Sequence, residues 1–324
     1  MKLLVKAQDA DVRLAHLSEL LNPNWTTTSV DYKDKEKWSH ELTSADAVIT
    51  MDWDHHDQSF DRLKLIHLPG AGLDAINFKT VPDKVTVCNV FEHEVPISEY
   101  VISSILLWTT RIHVQDRLLR NNHWSGSHLF GPTHQELCGK TIGILGYGRI
   151  GKAIASRIKP FGVEVIACGP RVPTSGVKPD KYYRLSQLSQ FLSECDFLVI
   201  AAPLTKETHD LIGDKELTQM KPNSVLINIA RGAIVNEQAI FNALKTETIG
   251  GAVIDTWYHY PESLVDVTPP SKYDFSKLEN VIMTPHSSAW TDGLILRRNR
   301  VIAENLNRLS DGRELMNVVS DYNA

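Results

Sequence analysis

Six residues, Gly146-Tyr147-Gly148-Arg149-Ile150-Gly151, have the types and spacing to hold a dinucleotide. They follow the apolar run Thr141 to Leu145 and lead into Lys152 to Phe161, which has a helical pattern, so they occupy a strand, turn, helix context. In that context the first glycine makes the tight turn, the second lets backbone approach a pyrophosphate, and the third lets helix pack on strand. The helix start then offers unpaired N–H groups and the positive end of its dipole to the phosphates.

A site for NAD normally places a carboxylate at the end of the next strand, about 20 residues on, to take the ribose hydroxyls. Here that strand ends Ala167-Cys168-Gly169-Pro170-Arg171, with Gly169 at the expected acidic position and Arg171 two residues later. A 2′-phosphate meets no repulsion there, which favours NADP over NAD. Arg171 as a solvated loop arginine, in an enzyme that accepts both cofactors, is the competing reading. A second group, Asp52-Trp53-Asp54-His55-His56-Asp57, has the composition of a metal cluster. Its residues are consecutive and no second ligand set accompanies them, so it reads as a solvated loop.

The elements that must position the glycine turn follow from an alternation of short apolar runs with longer, partly polar stretches, which argues for βα units and parallel sheets. Strands are expected at 3–6, 47–50, 63–68, 85–88, 141–145, 163–168, 197–203, 224–229 and 250–255. Ile97 to Asn121 lacks Gly and Pro and is apolar on one face, so it reads as one long helix, followed by a loop rich in Gly, His and Ser. Pro261 to Pro270 reads as an irregular loop.

Two domains suit 324 residues. A net charge of −5 with no basic stripe gives no reason to expect nucleic acid. Cys88, Cys138, Cys168 and Cys195 have neither zinc nor disulfide spacing, and the apolar stretch Leu3 to Val5 is too short for a signal-peptide core. The expectation is a cytoplasmic protein with no membrane span.

Several blocks together resemble the D-isomer-specific 2-hydroxyacid dehydrogenases. They are LPGAGLDAIN (68–77), ELCGKTIGILGYGRIGKAIA (136–155), PLTKETHDLIG (203–213), MKPNSVLINIARGAIVNEQAIFNAL (220–244), AVIDTW (252–257) and NVIMTPHSSAWT (280–291). The resemblance implies an α/β fold of two Rossmann-like domains with parallel sheets, the nucleotide domain (97–290) inserted into a flavodoxin-like substrate domain (1–96 and 291–324). It also implies hydride transfer between a nicotinamide and a small 2-oxo or 2-hydroxy acid, in a site between the domains, and a homodimer formed through the nucleotide domains. Arg231 matches the family's substrate arginine, whose forked donors suit a carboxylate and the adjacent oxo group. His286 matches the general acid/base. Gly70 to Leu73, with Ala71 and Gly72 at its centre, matches the segment whose N–H groups hold the substrate carboxylate; the residues alone also allow a plain turn. Pro203, Thr208, Ala230, Asp255 and His286 are implied to join Gly146, Tyr147, Gly148, Arg149, Ile150 and Arg171 around the cofactor.

One departure bears on the chemistry. The family's glutamate that pairs with the catalytic histidine corresponds to Tyr260, five residues after Asp255. Three readings follow: Tyr260 hydrogen-bonds His286 without a charge, Glu262 fills the role from a shifted loop, or catalysis is lost. Without a carboxylate the histidine's pKa should fall, moving the optimum for reduction to more acidic pH. Ala71, where the phosphite-oxidising relative has a lysine, argues against phosphite. Trp53, Trp257, Tyr258, Tyr260 and Trp290 either line the substrate site or serve as core and interface aromatics. A nucleotide-sensing binding protein on the same scaffold is the rival from another class, and its mark would be loss of Arg231 or His286, both of which are present.

Overall fold

The computed structural model describes residues 1–7, 10–56, 60–262 and 265–319. Asp57 of the acidic–histidine run lies outside them. In chain order the strands and α-helices are β1 (Lys2–Lys6), α1 (Ala10–Ser18), β2 (Thr26–Val30), α2 (Lys35–Leu42), β3 (Ala47–Ile49), β4 (Leu65–His67), β5 (Thr86–Cys88), α3 (Glu94–Thr110), α4 (Ile112–Arg120), β6 (Thr141–Leu145), α5 (Arg149–Ile158), β7 (Glu164–Cys168), β8 (Lys181–Tyr183), α6 (Leu188–Glu194), β9 (Phe197–Ile200), α7 (Asp214–Gln219), β10 (Val225–Asn228), α8 (Glu237–Lys245), β11 (Gly251–Ile254), β12 (Val281–Met283) and α9 (Asp292–Ser310). The chain divides into two compact units, Met1–Glu92 with Thr291–Ala324, and His93–Trp290.

The first unit is a five-stranded sheet in the order β2-β1-β3-β4-β5, and its strand pairs are parallel. This is the flavodoxin-like order. Leu4, Val48, Ile66 and Val87 fill one face, and Leu3, Val5, Ala47, Ile49 and Leu65 fill the other. Burial on both faces is why these strands read as unbroken apolar runs. Helix α9 closes the unit: Asn305 Nδ2 lies 3.0 Å from His67 Nε2, and His67 Nδ1 lies 3.0 Å from the Leu68 carbonyl. Complete burial pushes the His67 imidazole down to about 4, so it is neutral at pH 7.

The second unit is a seven-stranded parallel sheet in the order β12-β11-β10-β9-β6-β7-β8. Strand order reverses at β6, flanked by β7 and β9, and in open α/β sheets ligands bind outside the carboxyl ends of the strands at such a point. The glycine turn leaves the carboxyl end of β6.

Three strands were not expected from the sequence, β2, β8 and β12. The long helix also requires correction. It ends at Thr110, and α4 begins at Ile112, because Arg111 takes a left-handed conformation (φ 54°) and its N–H bonds the Leu107 carbonyl at 3.0 Å. Thr109 and Thr110 turn their hydroxyls back onto the Ile105 and Leu106 carbonyls, a pattern that competes with continued helix. Among the described residues no helix is long and apolar enough to cross a membrane.

Candidate active site

Two of the three glycines of the turn after β6, Gly146 and Gly151, have a steric reason to be glycine. Gly146 has φ +94°, and a Cβ there would sit 2.4 Å from the Ala202 nitrogen. A Cβ on Gly151 would sit 2.8 Å from the Gly146 carbonyl oxygen, so the start of α5 packs directly on the turn. Gly148, the residue before α5, meets nothing within 4 Å, which leaves its face open for a phosphate to approach backbone. Tyr147 is buried and its hydroxyl donates to the Val177 carbonyl at 2.9 Å, while the Arg149 guanidinium lies 3.9 Å from Glu94 and Ile150 is half-buried. The cradle thus fits a dinucleotide pyrophosphate.

At the end of β7, a side chain on Gly169 would come within 2.9 Å of the Tyr182 hydroxyl, which donates to the Arg171 carbonyl at 2.6 Å. Tyr182 therefore occupies the space a ribose-binding carboxylate at 169 would need. Arg171 is exposed. After β9, the Thr208 hydroxyl donates to the Pro203 carbonyl at 2.7 Å and accepts from the Thr205 N–H at 2.7 Å, closing that loop.

Strands β10, β11 and β12 are neighbours, so the segments following their carboxyl ends are brought together. After β10, Asn228 accepts from the Ala230 N–H at 3.1 Å and donates to the Arg231 carbonyl at 2.9 Å. Arg231 Nη1 donates to the Ala230 carbonyl at 2.8 Å. Gly232 allows the turn that follows, since a Cβ there would lie 2.5 Å from the Trp257 carbonyl oxygen. Beyond β11, buried Asp255 accepts from the Thr284 hydroxyl at 2.6 Å and from the Ser287 and Ser288 N–H groups at 2.8 and 3.0 Å. Those bonds pin the turn that carries His286, whose φ of +56° is unusual for a residue with a side chain.

The Tyr260 hydroxyl lies 3.0 Å from His286 Nδ1, and it accepts from the Trp257 N–H at 3.1 Å. The phenol keeps its proton and a second lone pair, so it can donate to Nδ1 of the neutral ring or accept from Nδ1–H of the imidazolium. Glu262 is exposed and makes no contact with His286 among the described residues. The His286 and Tyr260 rings both keep an exposed edge, yet the protein around them removes water: desolvation lowers the His286 pKa below the ordinary histidine value, opposed by Asp255 and reinforced by the Arg231 charge. Desolvation likewise raises the Tyr260 phenol, with the Trp257 N–H and Arg231 opposing, so Tyr260 stays neutral at pH 7. Arg231 thus acts electrostatically on both members of the pair.

In the other unit, the Gly70 and Ala71 carbonyls are turned into the fold, accepting from the Val90 N–H and Asn89 Nδ2 at 3.2 Å each. The N–H groups of Gly70, Ala71, Gly72 and Leu73 make no hydrogen bond among the described residues. Successive N–H groups left open in this way suit an anion.

Other aromatics divide. Trp53 is fully buried against Phe60, Trp257 packs edge-on to Phe275 with its Nε1–H on the Thr284 carbonyl, and the Tyr258 hydroxyl donates to the Val235 carbonyl. Trp53 and Trp257 are core side chains and Tyr258 is half-buried, whereas Trp290 is exposed. No group of three or more His, Cys, Asp or Glu side chains able to hold a metal occurs among the described residues. Sequence reasoning missed Asn228, which shapes the Arg231 turn, and the Trp257 N–H that orients Tyr260. A strand-ending Asn before an arginine turn is the one signal that could have marked the first.

A doubly wound sheet with a glycine-lined strand-to-helix turn is an arrangement suited to bind a dinucleotide. A family profile described as D-isomer specific 2-hydroxyacid dehydrogenase, NAD binding domain, matches residues 102–288. The chain is 31% identical over 288 residues to the glyoxylate reductase of Thermococcus gammatolerans, covering 86% of this chain and 84% of that one. It is 28% identical over 262 residues to the D-3-phosphoglycerate dehydrogenase of Methanocaldococcus jannaschii, covering 80% of this chain but 48% of that protein, so it spans about half the length of that relative. Among solved structures, a D-isomer specific 2-hydroxyacid dehydrogenase family protein from Aeromonas salmonicida superposes with a TM-score of 0.82 at 24% identity, covering 98% of each chain, a likeness of fold. The chain belongs to the D-isomer specific 2-hydroxyacid dehydrogenase family, and its cofactor is a nicotinamide dinucleotide.

Proposed function

We propose that this protein reduces a small 2-oxo acid to the D-2-hydroxy acid, with NADPH preferred over NADH, using His286 as the proton donor and Arg231 as the substrate-orienting cation. The observation that carries this reading is the grouping beyond β10, β11 and β12: Tyr260 on His286 Nδ1, with the Arg231 charge felt by both. Gly146, Gly148 and Gly151 hold the dinucleotide at the start of α5, and Pro203, Thr208, Ala230 and Asp255 border it. The bound cofactor supplies the hydride, that is two electrons and a proton's mass, to the carbonyl carbon. Arg231 pairs with the substrate carboxylate and polarises the adjacent oxo group. The open N–H groups around Ala71 and Gly72 take the carboxylate. Protonated His286 gives its Nε2 proton to the carbonyl oxygen as negative charge develops there, and the Nδ1–H of the imidazolium is meanwhile accepted by the Tyr260 oxygen. In oxidation neutral His286 takes the proton back.

Initial rates with NADPH and NADH against glyoxylate, hydroxypyruvate, pyruvate and phenylpyruvate test the reading; absence of turnover on all four would refute it. The cofactor preference rests on exposed Arg171 and on Tyr182 filling the place of a carboxylate. Arg171→Ala is expected to raise the NADPH KM roughly tenfold while leaving the NADH KM within about twofold, since only the 2′-phosphate loses a charge-assisted partner. Equal effects on both would contradict the NADP preference.

Helix α4 has no buried residue, yet Ile112 and Leu119 are apolar and exposed, as are Trp124, Leu129 and Phe130 in the loop after it. A second copy of the chain covering this face would make a homodimer, and a sedimentation mass of a single chain would dismiss it. Four unpaired cysteines, three of them buried, suit a reducing compartment such as the cytoplasm.

A further inference from the structure

Two successive arginines of α9 grip the segment that follows β5. Arg297 Nη2 donates to the Glu92 carbonyl at 3.2 Å, with its Nε 3.7 Å from the Glu92 carboxylate. Arg298 Nε donates to the Phe91 carbonyl at 2.9 Å, and Arg298 Nη1 lies 3.9 Å from the position a Cβ on Gly70 would take. Arg298 is half-buried and its charge is permanent. The same segment holds the 70–73 loop, through the Val90 N–H on the Gly70 carbonyl and the Asn89 side chain on the Ala71 carbonyl. One guanidinium therefore lies beside the loop and anchors the segment to which that loop is tied.

We propose that Arg298 is a positioning residue for the substrate carboxylate. It fixes the 70–73 loop with its N–H groups open and places a cation beside them, so that a carboxylate is held by preorganised backbone donors with a cation in support. A peptide dipole alone is a weak anion site in water, and holding several such donors in place beside a guanidinium is worth an amount comparable to roughly a tenfold change in affinity. The inference rests on the reading of residues 70–73 as the carboxylate loop.

The test uses the NADPH-saturated enzyme and oxalate, a non-reacting carboxylate analogue of a 2-oxo acid, with affinity measured by calorimetry for wild type, Arg298→Gln and Arg298→Lys. Arg298→Gln is expected to weaken oxalate roughly tenfold. Where a 2-oxo acid is turned over, its KM should rise by a similar factor with kcat within about twofold. Arg298→Lys, which keeps the charge but loses the planar fork, should fall between. Should the glutamine variant fail to fold, the lysine variant alone decides, by weakened oxalate binding or by none. Unchanged oxalate affinity in the folded variant, or no oxalate binding by wild type, overturns the proposal. If oxalate binds and weakens as expected while no 2-oxo acid is reduced, the role of Arg298 stands and the proposed reaction falls.

Discussion

His286→Asn is expected to lower kcat for 2-oxo acid reduction by about a hundred- to ten-thousand-fold, the range a positioned general acid contributes. Asparagine is the informative replacement because position 286 has φ +56°, a conformation that Asn tolerates better than most residues. The Asp255 bonds to the Ser287 and Ser288 N–H groups should therefore keep the turn in place. What is removed is the proton at Nε2 and the Nδ1 partner of Tyr260. Cofactor affinity, followed by nicotinamide fluorescence, should change little. Retention of more than a tenth of wild-type kcat would show that the proton comes from elsewhere.

Arg231→Gln is expected to cost about a hundred- to a thousandfold in kcat/KM, the effect of losing a preorganised donor to the reacting carbonyl together with the carboxylate clamp. Arg231→Lys should recover only part of it, since a point charge cannot bond both oxygens in one plane. A second signature accompanies the loss. Arg231 depresses the His286 pKa, so its removal lets that pKa rise, and the residual reductase activity should persist to higher pH than in wild type. An alkaline limb that stays in place or moves down would separate Arg231 from the Tyr260–His286 pair.

The parts of the structure legible in the sequence are those where sterics or burial dictate residue type. Gly146 and Gly151 have no room for a Cβ, and the central strands are apolar because both their faces are covered. The three strands that escaped notice lie at sheet edges: β2 reads Thr-Thr-Thr-Ser-Val with two exposed residues, β8 reads Lys-Tyr-Tyr, and β12 is three half-buried residues. Edge strands lack the double-faced burial that produces an apolar run. The break at Arg111 carries no glycine or proline and was invisible for that reason. Tyr260 could be placed by counting from Asp255, but nothing in the sequence tells whether its hydroxyl or the Glu262 carboxylate meets the histidine. The spatial answer depends on the Trp257 N–H, a backbone group with no sequence signature. Arg298 was likewise silent, because its relation to Gly70 spans more than 200 residues of chain.

The central claim is that His286 works as a general acid with a neutral phenol, rather than a carboxylate, at Nδ1. It is tested most directly by the pH dependence of kcat/KM for NADPH-driven glyoxylate reduction in wild type and in Tyr260→Glu. Reduction needs protonated His286, and burial holds its pKa below the usual 6.5, so wild-type activity should rise as pH falls, with its limb below that value. A carboxylate at 260 stabilises the imidazolium and should move the limb upward by about one unit or more. A wild-type limb above pH 7, or one that ignores the glutamate, would contradict the claim.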